Sequence, residues 1–178
     1  QGLPPGLIFT PGSNTITGVS LKYSNTSIPS GNTVGNTSTE TSFASSYTIP
    51  ANTLAVGDVI RIKLWGTFGT GSGSPTLKNK IKLGNTTIID AGSLPLDNNI
   101  SSDHGWLADI SIIVQSAGSA GAIDAQSYYK FDDDDNDNDS LFIGANTSIY
   151  TIDTTVDQTI TIPVKWSSSN VSNTITLR

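Results

Sequence analysis

The chain has no cysteine and no methionine. That excludes disulfides, thiol redox chemistry and sulfur ligands to a metal, so packing and hydrogen bonds must hold the fold. It has one histidine, His104, and one glutamate, Glu40. His104 stands beside Asp103 and Trp106 in a predicted loop, and no G-x-S-x-G nucleophile motif accompanies it, so a surface turn histidine is the reading. Charge is scarce as well, at 13 % of residues, with a net charge of -6. An acidic chain lacks the basic surface that neutralises phosphates, so nucleic acid is not expected as a partner. No run approaches the roughly 18 apolar residues that span a bilayer, and no signal-peptide pattern opens the chain, so no membrane insertion is expected. The chain begins at Gln1 without a Met, which fits a processed or excised portion of something longer.

Ser, Thr, Asn and Gly fill the polar positions, a bias toward turns and strands over helices. At 178 residues the chain reads as one domain, long enough to bury about 70 % of the surface its unfolded form exposes. Residues 47–68 carry the clearest pattern. A strand over 47–49 ends at Pro50, which has no N–H for a ladder, and Asn52 with Gly57-Asp58 supplies turn residues. Then the period becomes two. Ile60, Ile62 and Leu64 point to one face, and Val59, Arg61, Lys63 and Trp65 to the other.

The same alternation predicts strands over residues 18–23, 40–49, 77–83, 86–90, 106–116, 122–131, 141–144, 156–166 and 173–178. The segment 106–116 is apolar on both faces, as in a strand inside a sandwich or against a neighbouring subunit. Residues 1–15 hold too many prolines and glycines for more than a short strand near 7–9, and residues 25–39 read as a connection. The organisation expected is an arm over 1–16 and one domain over 17–178. Strands at this spacing make an antiparallel all-β sandwich of about eight to ten strands with little or no helix.

Three stretches, TETSFASSYTIPANTLAVGDVIRIKLWGTF, TLKNKIKLGNTTIID and TIDTTVDQTITIPVKWSSSNVSNTITLR, together resemble the jelly-roll head domains of bacteriophage and other viral structural proteins, among them tail-fibre, spike and head-fibre knobs. The resemblance covers residues 38–178 and rests on the order of the motifs. Such domains are similar to the tumour-necrosis-factor and complement-C1q jelly rolls in commonly forming trimers. The resemblance implies a non-enzymatic virion component, a homotrimeric knob on capsid or tail that contacts other virion proteins and attaches to a host glycan or protein. Its alternatives are a capsid decoration protein and a secreted carbohydrate-binding module. It carries no catalytic motif, and no catalytic residue is assigned.

Two clusters are candidate binding features. In FDDDDNDNDS, Asp133, Asp135, Asp137 and Asp139 alternate and could offer oxygen ligands to calcium. The EF-hand pattern fails, because Asn138 stands where the loop needs Gly and Gly144 where it needs a bidentate Glu. The other reading is a solvated tip held open by like-charge repulsion. If the GTGSGSP run closes a hairpin, Arg61 and Lys63 share a face with Lys78, Lys80 and Lys82, a surface for an anionic glycan or a neighbouring subunit, or else a soluble outer face. Trp106 and His104 complete the binding candidates. Candidate contact loops are residues 69–75, 94–105 and 132–140. The seven N-x-S/T matches are a by-product of the composition and carry no weight.

Overall fold

Period-two alternation becomes strand almost wherever it occurs, in a computed structural model that describes residues 7–9, 16–18, 32–132, 140–145 and 149–178. The strands are β1 (Leu7–Phe9), β2 (Ile16–Gly18), β3 (Thr33–Gly35), β4 (Thr41–Ser42), β5 (Tyr47–Ile49), β6 (Val59–Gly69), β7 (Thr76–Leu83) and β8 (Thr86–Asp90). They continue with β9 (Leu94–Pro95), β10 (His104–Ser116), β11 (Gly121–Phe131), β12 (Ser140–Ala145), β13 (Tyr150–Ile152), β14 (Gln158–Thr161), β15 (Pro163–Trp166) and β16 (Thr174–Leu177). No helix occurs among the described residues.

Two seven-stranded antiparallel sheets form a sandwich. One runs β12-β11-β10-β6-β16-β3 with β13 beside β11; the other runs β4-β15-β7-β14-β5 with β8 and β9 also on β7. Among the described residues, the short β1 and β2 pair only with each other. Several short strands are halves of longer ones. Both β14 and β15 run along β7, and the break between them falls at Ile162, just before Pro163, which has no N–H to give the ladder. Their partners β5 and β4 break with them, and β8 and β9 both line β7.

With the halves joined, the pairings nest: β3 with β16, β4/β5 with β15/β14, β6 with β10, and β7 with β8/β9. A long antiparallel hairpin rolled into two layers produces this order, which is the eight-stranded jelly-roll arrangement. The remaining strands β11, β12 and β13 extend the sheet beyond β10.

The rolling overturns the hairpin expected at residues 69–75. β6 and β7 lie in opposite sheets, and the connection crosses from one layer to the other. Each strand has an apolar side to bury, Ile60, Ile62 and Leu64 on β6 and Leu77, Ile81 and Leu83 on β7. Facing each other across the sandwich buries both sets, with the layers about 10 Å apart. The run expected as a connection, residues 25–39, holds strand β3 within its described part, and Val156 is exposed instead of joining the alternation of β14.

The core lies between the layers. Trp106 is sandwiched by Phe43 at 6.3 Å and Phe131 at 6.2 Å, and its Nε1 donates to the carbonyl of Thr176 at 3.0 Å. Phe68 meets Phe131 edge-on at 5.2 Å. Gly66 is required here, since a Cβ would run into the Thr176 carbonyl and come within 2.9 Å of the Trp106 indole nitrogen. Buried polar links cross the core: the Tyr129 hydroxyl donates to Asn79 Oδ1 at 3.2 Å, and Trp166 Nε1 donates to the Val34 carbonyl at 3.4 Å; burial pushes the Tyr129 phenol above its ordinary value. The Asn79 Nδ2 amide is buried with no hydrogen-bond partner among the described residues.

Candidate functional site

The basic face predicted from sequence divides in two. Arg61 and Lys63 project from β6 on the outside of one sheet, while Lys78, Lys80 and Lys82 project from β7 on the outside of the other. Lys63 lies 3.6 Å from Asp109 on neighbouring β10. On the opposite sheet, Glu40 accepts from Lys80 Nζ at 2.7 Å and from Lys82 Nζ at 2.8 Å, and Asp90 stands 3.9 Å from Lys80. Hydrogen bonds from Lys80 and then Lys82 hold the Glu40 carboxyl down at about 2, and the same bond to Glu40 raises Lys80. Lys80 and Lys82 thus neutralise a carboxylate of their own chain.

Trp106 is a core residue, 3 % exposed, and offers no binding platform. Its strand begins earlier than predicted, which places His104 opposite Phe68 in the ladder and not in a loop. His104 donates from Nδ1 to the Asp132 carbonyl at 2.9 Å, a bond that fixes the proton on that nitrogen because a carbonyl only accepts. The Asp132 carboxylate is 3.7 Å away. This pair anchors the start of the acidic run. The proposed calcium ligands Asp133, Asp135, Asp137 and Asp139 lie outside the described residues. Among the described residues, no group of three or more His, Asp or Glu is placed to hold a metal.

Two features emerge instead. The first is the outer face of the β6-β10-β11 sheet. Cross-strand register places Trp65 beside Leu107, and Leu107 beside Lys130; the next rows are Lys63, Asp109, Tyr128 and then Arg61, Ser111, Gln126 and then Val59, Ile113, Asp124. Residues opposite one another in a ladder share a face. Trp65 is 59 % exposed, and Leu107, Ile113 and Tyr128 are exposed beside it. Sequence reasoning found the two-sided apolar character of β10 but missed that Trp65 and Tyr128 join it, because which strands neighbour β10 depends on pairing across long stretches of chain.

The second is a cleft of about 450 Å³ at the end of the sandwich where β6 finishes and β16 begins. Three connections form it. Residues 69–75 and 94–105 were predicted contact loops, and residues 167–173 join them. Buried Thr70 and Asn173 bolt them together. Thr70 Oγ1 donates to the Asp97 carbonyl at 2.5 Å and accepts from the Ile100 N–H at 3.0 Å, while the Thr70 N–H donates to the Ile100 carbonyl at 2.9 Å. Asn173 Oδ1 accepts from the Gly71 N–H at 2.8 Å, and its Nδ2 donates to the Ser168 carbonyl at 3.3 Å. A Cβ at Gly71 would meet the Asn170 side-chain amide, which would have to move aside.

No family model, curated protein or solved structure matches this chain. Its chemistry must therefore be read from these surfaces alone. The outer face offers apolar contact framed by both signs of charge, and the cleft offers neutral hydrogen-bonding groups on a rigid frame.

Proposed function

We propose that the chain is a non-enzymatic viral structural module, a jelly-roll knob of a fibre or spike that assembles as a homotrimer on the virion and contributes to host attachment. The observation that carries the reading is the outer face built by Trp65, Leu107, Ile113 and Tyr128. A sheet face with this aromatic and aliphatic content is the composition of an interface centre and not of a solvated surface. A second copy is the occupant that its charges favour. The face carries Arg61, Lys63 and Lys130 with Asp109 and Asp124, close to balance, so copies of a chain of net charge -6 meet there without strong repulsion. The cations of β6 and the carboxylates of β10 and β11 lie on successive strands. Packing the β6 side of one copy against the β11 side of the next is a head-to-tail contact, which makes a ring of three when each copy is turned by a third of a circle from the last.

Light scattering tests this. The expected mass is three chains, falling to one in the double variant Trp65→Asp/Leu107→Asp; a single-chain mass for the unaltered protein overturns the trimeric knob. Repeating the measurement with calcium and then with chelator addresses the acidic run. A trimer that loosens only in chelator assigns it a structural cation, and a mass indifferent to both leaves it a solvated tip.

A further inference from the structure

We propose that the cleft between the loops 69–75, 97–103 and 167–173 is a binding site for a neutral saccharide. The inference rests on the attachment reading above and names the ligand class for one end of that knob.

The lining decides the class. It presents the side-chain amide of Asn99 and the hydroxyls of Ser102, Ser172 and Thr174, with Ile100 and exposed Val171 as its apolar contacts. None of these four polar groups has a side-chain hydrogen-bond partner among the described residues, so all are available to a ligand. An amide or a hydroxyl both donates and accepts, as do the hydroxyls of a sugar ring. The ring's C–H face requires a small apolar patch, which the two aliphatic side chains supply. No lysine, arginine or carboxylate lines the cleft. An anionic ligand would find no counter-charge there, and a metal ion would find no carboxylate. The nearby Asp103 carboxylate is already engaged by the Ser101 hydroxyl at 2.5 Å, which lowers the Asp103 carboxyl below its ordinary value. A large apolar ligand would meet too little hydrocarbon to be held.

The walls are set before any ligand arrives. Thr70 and Asn173 are buried, and their hydrogen bonds join all three loops. The Asn99 N–H donates to the Gly71 carbonyl at 3.3 Å, with Asn99 held at φ 58°, a left-handed conformation that asparagine tolerates better than most residues. Ser172 is fixed through its N–H, which donates to Asn170 Oδ1 at 2.9 Å. Pre-organisation of this kind removes the ordering cost that a flexible loop would charge against a weak polar ligand. Single-site affinity is then modest, and three copies on one knob raise it by avidity.

The test is a titration of the isotope-labelled full chain with the methyl glycosides of glucose, galactose and N-acetylglucosamine. N-acetylneuraminic acid serves as the charged control, and the mass is recorded in the same samples. Amide shifts confined to Asn99, Ser102, Ser172 and their neighbours with a neutral glycoside are expected. In Ser102→Ala/Ser172→Ala, whose changes are exposed and leave the bolts intact, the Kd should rise about tenfold, the worth of two ordinary hydrogen bonds. Silence with every neutral glycoside, shifts elsewhere on the surface, or a response to N-acetylneuraminic acid alone would overturn the site. A three-chain mass without a sugar response rejects the saccharide site and leaves the knob standing. A response from a single-chain particle does the reverse.

Discussion

The outer faces of the two sheets are built from similar strands and differ in what those strands turn outward. On β5, β7, β14 and β15 the outward residues include lysines and threonines: Thr48 and Thr159 share a hydroxyl bond at 3.1 Å, and Glu40 gathers Lys80 and Lys82. On β6, β10 and β11 the outward set includes Trp65, Leu107, Ile113 and Tyr128. The first face pairs Lys80 and Lys82 with a carboxylate of the same chain. The second leaves apolar surface in water, which costs about 25 cal/mol for each Å² that could have been buried. One face turns polar side chains to water, and the other turns aromatic and aliphatic ones.

The largest loss is expected where a change falls on the inner side of the sheet instead of the outer. Trp106→Ala, which empties the space between Phe43 and Phe131 and abandons the Thr176 carbonyl, should cost about 3–5 kcal/mol in denaturant unfolding. Trp65→Ala, measured on dissociated chains, should stay within about 0.5 kcal/mol. Equal losses would mean that Trp65 is packed within the chain and is not a surface residue. Gly66→Ala lies on the same strand, and its methyl must displace the β16 backbone. A loss of about 1–3 kcal/mol is expected from the midpoint shift, and an unaltered midpoint would show that β16 yields freely.

The charged face responds to pH instead. Glu40 is depressed to about 2, so its contribution is fully present above the ordinary value of 4.5 and is lost as pH falls through about 2. Stability of the unaltered protein should therefore fall more steeply across that window than stability of Glu40→Gln. Parallel acid limbs would show that the ion pairs contribute nothing in solution. A finer test uses Lys165, which sits directly opposite Lys78 in the β15–β7 ladder. Lys165→Glu should relieve that repulsion and raise stability by about 0.5 kcal/mol in thermal unfolding. The smallest effect belongs to Lys63→Ala, which removes an exposed pair at 3.6 Å and should change chain stability by less than about 0.5 kcal/mol. A larger loss that depends on salt and protein concentration would place this pair inside the contact between copies.

Alternation alone was enough to read the strand class, the inward residues of β6, β7 and β10, and the sandwich, because side chains on a strand must point to opposite sides whatever the strand pairs with. The solubility devices were legible for the same reason: lysines at every second position of β7 can only face outward. Partnership was not legible. The Gly-rich run 69–75 has hairpin chemistry, yet both strands it joins are apolar on one side, and rolling the chain buries both sides where a flat hairpin would bury neither. That single crossing separated Arg61 and Lys63 from the β7 lysines, set Trp65 beside Leu107, and brought residues 167–173 to loops far earlier in the chain, where Asn173 bonds to Gly71, 102 positions away. Local pattern determines which way a side chain points; only the long-range pairing of the rolled hairpin determines what stands next to it.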